Sequence, residues 1–212
     1  MSDKDASASE NVTLTDRVRS RFSGSLAPLA RGLLRIGLKP NTITLLGLLG
    51  NTIGAVILAQ GNFLVGGIVI LIIGPVDALD GNMAREMGES SSFGAFVDSV
   101  TDRYSELVIF GGLIVYYASE ANAVMVGLVF AAAAGSVLVS YVRARAEGLG
   151  YEAKVGILTR MERYVVLGPT LILGTFIPGI AEMGIAIIAI LANVTAIQRV
   201  LSVRSQAHAE KG

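Results

Sequence analysis

Between two strongly apolar runs lies the stretch D-A-L-D-G-N-M-A-R-E-M-G-E-S-S-S-F-G-A-F-V-D-S-V-T-D, from Asp77 to Asp102. Asp77 and Asp80 are three residues apart, and Asp98 and Asp102 are four apart. On helices each pair shares one face. Four carboxylates on two apolar helices are too costly to leave unpaired at a membrane boundary. Their natural neutraliser is a divalent cation, or two, held by oxygen ligands. These residues point to a metal site, and to a metal that does chemistry.

The neighbours of the aspartates suggest what is bound there. Gly81 follows Asp80 inside a stretch that must be helix, where glycine costs about 1 kcal/mol relative to alanine. Something therefore approaches the backbone closely. Ala84 lies one turn after Asp80 and keeps the same face open, and Gly94 has the parallel role a turn before Asp98. Arg85 stands at the mouth, where it can pair with a phosphate. A metal floor, glycine walls and a cation at the rim suit a nucleoside diphosphate. The competing readings are a structural polar network and a divalent-cation transporter. Transport sites tend to lie near the bilayer midplane, whereas here the apolar run Phe63 to Val76 precedes the acids and sets them toward one surface.

The elements that must position these residues are membrane helices. Of 212 residues, 52% are hydrophobic and only 16% charged, against roughly 25% charged in a soluble domain; the mean hydropathy is +0.63. The absence of cysteine excludes disulfides and sulfur redox chemistry. A net charge of zero gives no sign of a nucleic-acid partner. Residues 1–14 read as a disordered N-terminus, and Met1 to Glu10 lacks the apolar core of a signal peptide. Residues 15–39 mix Arg17, Arg19, Arg21, Arg31 and Arg35 with Phe22, Leu26, Leu29, Leu33 and Leu34. Such a mixture predicts an amphipathic helix lying in the membrane interface. Pro40 interrupts it, and Asn41 is expected to cap the next helix.

Six apolar stretches follow, at about 42–60, 63–85, 92–118, 121–143, 161–178 and 181–200. Each is about long enough to cross ~30 Å of hydrocarbon. Their short connections make consecutive helices antiparallel neighbours. With six spans, all 17 lysines and arginines fall on the side of the N-terminus, and the three opposite loops contain none. By the positive-inside rule that side is the cytoplasm, and it holds both termini and the aspartates. The predicted class is an all-α integral membrane protein of the cell membrane. Six transmembrane helices form a catalytic domain over 40–203, with a C-terminal tail over 204–212. Gly50-x-x-x-Gly54 permits close helix packing without specifying a dimer.

Asp77, Asp80, Gly81, Ala84, Arg85, Gly94, Asp98 and Asp102 fit, with their spacing, the pattern D-x-x-D-G-x-x-A-R, eight residues, G, three, D, three, D. In this the chain resembles the CDP-alcohol phosphotransferase family. The resemblance implies a six-helix membrane enzyme, commonly a homodimer, that moves a phosphatidyl-type group from a CDP-linked donor to an alcohol and releases CMP. It further implies that Asp77, Asp80 and Asp98 hold one Mg²⁺ (or Mn²⁺) and that Asp77, Asp98 and Asp102 hold a second. Asp102 matches the general base. Pro40, Asn41, Thr42, Ile43, Gly81, Ala84, Arg85, Ser91 and Gly94 are the expected CDP-diacylglycerol contacts. Two metals that spread pyrophosphate charge and stabilise a leaving nucleotide agree with the chemistry.

A second set of cations concerns the acceptor. Arg143 and Arg145 end the fourth span, Arg160 and Arg163 begin the fifth, and Arg199 ends the sixth. Ordinary flanking charge explains some of them; convergence of guanidinium groups on an acceptor phosphate is the sharper reading. The runs L-A-R-G-L-L-R-I-G-L (29–38), S-Y-V-R-A-R-A-E (140–147) and Gln198-Arg199 resemble the actinobacterial phosphatidylinositol phosphate synthases. That likeness, over nearly all of residues 25 to 200, implies 1D-myo-inositol 3-phosphate as acceptor, with Arg143, Arg163 and Arg199 on its phosphate and Arg160 as a further candidate. T-R-M-E-R (159–163) departs from the typical E-R-P-E-R, and Arg143 stands where lysine is common. Glycerol 3-phosphate, giving phosphatidylglycerol phosphate, is the alternative acceptor. Gly148 to Leu158 reads either as a lid or as a plain loop.

Overall fold

The computed structural model describes residues 39–74 and 91–210, together with Gly32. The expected disordered start, nearly all of the expected interfacial helix, and Asp77, Asp80, Gly81, Ala84 and Arg85 lie outside the described residues.

The described chain folds into α-helices wherever an apolar run is long enough. They are α1 (Pro40–Ala59), α2 (Phe63–Ile73), α3 (Ser92–Ser119), α4 (Ala123–Glu147), α5 (Arg160–Gly174) and α6 (Ile180–Ala209). Polar residues at the run boundaries begin several of them. Asn62 Oδ1 accepts from the Val65 amide, Asn122 Oδ1 from Met125, both at 3.1 Å, and Ser91 Oγ from Gly94 at 3.0 Å. These caps satisfy donors that a helix start leaves without partners. The start of α1 differs from expectation. Lys39 is the cap and Pro40 the first helical residue, so Asn41 lies inside the first turn. Proline suits that position because its missing N–H has no helical partner to lose.

Two other boundaries depart from the sequence reading. α5 ends at Gly174, well short of 178, because residues 175–179 turn tightly through Gly179 at φ +86°. α6 continues to Ala209, so most of the expected tail is helix. Side chains from its last turns hold the 148–159 connection, which gives them a reason to stay wound.

The packing pairs are α1–α2, α2–α5, α5–α6, α6–α4, α4–α3 and α3–α1, which close a ring. Leu58, Ile70, Leu113, Val129, Leu171 and Ile188 are fully buried within it. The backbones of α1 and α3 approach closely where they cross. A Cβ on Gly112 would stand 2.2 Å from the Ala55 carbonyl oxygen, so only glycine fits there. Small residues of this kind let membrane helices approach. Many large apolar side chains face outward, among them Ile53, Ile72, Val115, Phe130, Val165 and Ile190. By length and composition α1, α4 and α6 can cross a membrane. α3, with 28 residues, is about 42 Å long at ~1.5 Å per residue. That exceeds the ~30 Å thickness of a hydrocarbon core.

Antiparallel succession puts the starts of α1, α3 and α5 at one end with the ends of α4 and α6. The opposite end is closed by aromatic contacts and one hydrogen bond. Phe63 meets Tyr116 edge-on with centroids 4.7 Å apart, and the Tyr117 hydroxyl donates to Glu182 at 3.2 Å, joining α3 to α6. The chemistry-bearing residues gather at the first end.

Candidate active site

α3 carries the described half of the aspartate stretch. Ser91 caps it, Gly94 opens its first turn, and Asp98 and Asp102 follow at successive turns, both half-buried. The first turn of α1 lies alongside: a Cβ on Gly94 would come 3.7 Å from Asn41 Oδ1 and 3.1 Å from Ser91 Oγ. Three of the expected nucleotide-lipid contacts, Asn41, Ser91 and Gly94, are thereby brought together. Thr42 is exposed beside them, whereas Ile43 is buried in the packing. Pro40 contributes the helix start.

Asp102 Oδ1 lies 2.7 Å from Arg160 Nη1, and its Oδ2 lies 3.7 Å from Arg103 Nη1. Arg160 also sits over the Tyr164 ring, 5.4 Å from its centroid, one turn along α5. The start of α5 is thus drawn to the acidic face of α3. Asp98 and Asp102 offer hard oxygen donors on one face, which fits a divalent cation. Among the described residues no group of three such ligands is assembled, and the expected partners Asp77 and Asp80 are outside them.

One turn beyond Asp102, Glu106 meets Arg163. Nε and Nη2 of Arg163 lie 2.8 and 2.7 Å from the same oxygen, Glu106 Oε1. The two side chains are only 3% and 5% exposed. Glu106 is absent from the residues that the sequence singles out, although a signal was there: an acid one helical turn past Asp102, in an apolar run, needs a partner.

The three arginines expected on the acceptor phosphate are placed differently from one another. Arg143 is exposed and pairs with Glu147 at 2.8 Å along α4. Arg199 is 3% exposed and joins two elements by its hydrogen bonds. Its Nε donates to the Val155 carbonyl at 2.9 Å and its Nη1 to the Val139 carbonyl at 2.7 Å. Arg163 Nη1 donates to the Leu158 carbonyl at 3.3 Å. Arg143 and Arg163 both lie within electrostatic range of Arg199. Two of the three, Arg163 and Arg199, are held through carbonyls of the same short segment.

That segment, 148–159, is strapped along α6. The Leu158 amide donates to Thr195 Oγ1 at 3.2 Å. The Glu152 amide donates to Gln206 Oε1 at 3.0 Å, and Gln206 Nε2 returns to the Glu152 carbonyl at 2.6 Å. The Tyr151 hydroxyl donates to Glu210 at 2.9 Å, and that carboxylate holds the phenol above its ordinary range. Ala153 and Leu158 are buried beneath the segment. Gly156 takes φ +132°, a conformation L side chains rarely adopt, with a Cβ position 2.3 Å from Thr195 Cγ2.

Comparison with known proteins finds relatives along most of the chain. Residues 38–202 match the sequence pattern of the family described as CDP-alcohol phosphatidyltransferase. The chain is 38% identical over 207 residues to a phosphatidylinositol phosphate synthase of Streptomyces avermitilis, covering 91% of this chain and 83% of that one. It superposes on the crystal structure of the Mycobacterium tuberculosis phosphatidylinositol phosphate synthase with CDP-DAG bound. That match has a TM-score of 0.79 and 31% identity, over 84% of this chain and 92% of the other. A crystal structure of the same enzyme in complex with manganese and citrate gives 0.80 and 32%, over 84% and 88%. On the matched extent and on the shared fold, the chain belongs to the CDP-alcohol phosphatidyltransferase family.

Proposed function

We propose that this transferase moves the phosphatidyl group of CDP-diacylglycerol to a hydroxyl of 1D-myo-inositol 3-phosphate, forming phosphatidylinositol phosphate and CMP. The observation that carries the reading is the chain-long likeness to a synthase crystallised with CDP-DAG, joined to the meeting of Asn41, Ser91 and Gly94 at one helix crossing. Those residues, with Pro40, Thr42, Gly81, Ala84 and Arg85, form the donor site, and Ile43, buried in the packing, supports the first turn of α1.

Asp77, Asp80, Asp98 and Asp102 would hold two divalent cations, Mg²⁺ or Mn²⁺; the related enzyme's complex with manganese supports a divalent metal. Bound there, the metals supply charge neutralisation to the pyrophosphate and the leaving CMP. The chain's own residues do the rest. The acceptor hydroxyl attacks the phosphorus that bears the diacylglycerol group, and the bond to the CMP oxygen breaks. Asp102 takes the hydroxyl proton, with Arg160 fixing the orientation of its carboxylate. Arg143, Arg163 and Arg199 hold the acceptor's phosphate, with Arg160 as a further candidate. Positioning and electrostatics supply most of the catalysis in phosphoryl chemistry.

Six membrane spans, with the site and both termini on the cytoplasmic side of the cell membrane, place a lipid-borne donor and a soluble acceptor at one surface. The working form is a homodimer. Reconstituted protein given CDP-diacylglycerol, Mg²⁺ and inositol phosphate should release CMP. Release with glycerol 3-phosphate alone would transfer the protein to the phosphatidylglycerol phosphate synthases.

A further inference from the structure

The buried contact between Glu106 and Arg163 has a geometry that a merely neutralising pair would not need. A guanidinium carries five N–H donors in a rigid plane. In Arg163, Nε and Nη2 both face Glu106 Oε1, at 2.8 and 2.7 Å, and Nη1 donates to the Leu158 carbonyl at 3.3 Å. Contacts on two edges fix the plane, and one N–H remains on each terminal nitrogen. Two N–H groups on a fixed plane are what bidentate recognition of a phosphate requires. The surroundings keep the pair rigid. Ile109, Phe110 and Leu167 are buried around it, and the adjoining cavity, about 10 Å³ in volume, offers space for about one water. Leu158, the other anchor, is itself fixed through its amide to Thr195 on α6.

We infer that Glu106 is a positioning residue for the acceptor: it orients Arg163 so that the two remaining N–H groups face the acceptor's phosphate. The inference rests on the assignment of Arg163 to the acceptor site. It adds a specific division of labour on α3. Asp98 and Asp102 serve the reacting phosphate, and the next acid along the same face serves the phosphate that does not react. The ligand class is a phosphomonoester carried on a small alcohol.

The test is steady-state kinetics of reconstituted Glu106→Gln and Glu106→Asp, with inositol phosphate and glycerol 3-phosphate each offered as acceptor. Glu106→Gln keeps the shape but weakens the hold on the guanidinium. It should raise the acceptor KM about ten- to a hundredfold, by analogy with the loss of groups that orient metal-binding side chains. The donor KM should barely move, and kcat at saturating acceptor should fall less than KM rises. In an Arg163→Ala background the same change should have almost no further effect on acceptor KM. Equal losses against donor and acceptor, or an undiminished effect without Arg163, would overturn the inference. Glu106→Asp retains the charge and carries the same reading where Glu106→Gln does not accumulate. If neither variant accumulates, the pair is a folding element and the inference fails. Turnover with glycerol 3-phosphate alone would sink the acceptor assignment yet still read Glu106 on that acceptor.

Discussion

At the scale of single residues, Arg163 shows how a cation is kept inside apolar packing. Removing one partner of a buried pair leaves an uncompensated charge, at a cost of about 3–5 kcal/mol, whereas replacing both with apolar side chains is often neutral. Arg163→Met should therefore lower the melting temperature in detergent clearly, and adding Glu106→Leu should restore much of it. A double variant less stable than either single would show that the pair is no liability when broken. Asp98 makes a chemical prediction. As a ligand proposed to be shared by both metals, its change to Asn should leave less than about a tenth of wild-type CMP release. Activity above that level argues against a shared ligand. Asp98 and Asp102 were legible because helical spacing alone places them on one face. Glu106 repeats the same spacing, but its meaning depended on Arg163, 57 positions away, and no local pattern encodes that partner.

Among the elements, the 148–159 strap and the α1–α3 crossing depend on glycine for different reasons. Gly156→Ala adds a side chain at φ +132° and pushes against Thr195. It should cost about 1–3 kcal/mol of stability and raise the acceptor KM, since Val155 and Leu158 anchor Arg199 and Arg163 on either side. An unchanged KM would separate the strap from the acceptor site. Gly112→Ala meets a backbone oxygen that cannot step aside, whereas a Cβ on neighbouring Gly111 finds nothing within 4 Å. The first should destabilise by about 1–3 kcal/mol, and the second should be neutral or stabilising by up to about 1 kcal/mol; paired thermal melts decide. Apolar runs and polar caps made the helices readable to within a few residues. The strap was unreadable as such, because its bonds run from side chains on α6 to the backbone of a segment with no periodicity.

For the whole molecule, charge was the most informative feature of the sequence. In the six-span topology expected from the sequence every lysine and arginine falls at one end, and the structure pairs Asp102 with Arg160 and Glu106 with Arg163 there, with Arg199 bonded to the Val155 carbonyl. The orientation has a direct test, because the chain has no cysteine of its own. In intact cells a membrane-impermeant maleimide should label Gln60→Cys but reach Ser205→Cys only after lysis; the reverse pattern would invert the protein in the bilayer. The length of α6 bears on how the protein is handled. At its end, Gln206 holds the Glu152 backbone and Glu210 accepts from the Tyr151 hydroxyl, on the same segment whose Val155 and Leu158 carbonyls steady two of the arginines. A protease cut or a rigid tag near residue 204 would touch none of the aspartates. It should nonetheless loosen the strap from a distance, and with it the proposed acceptor site, while leaving the proposed donor site intact.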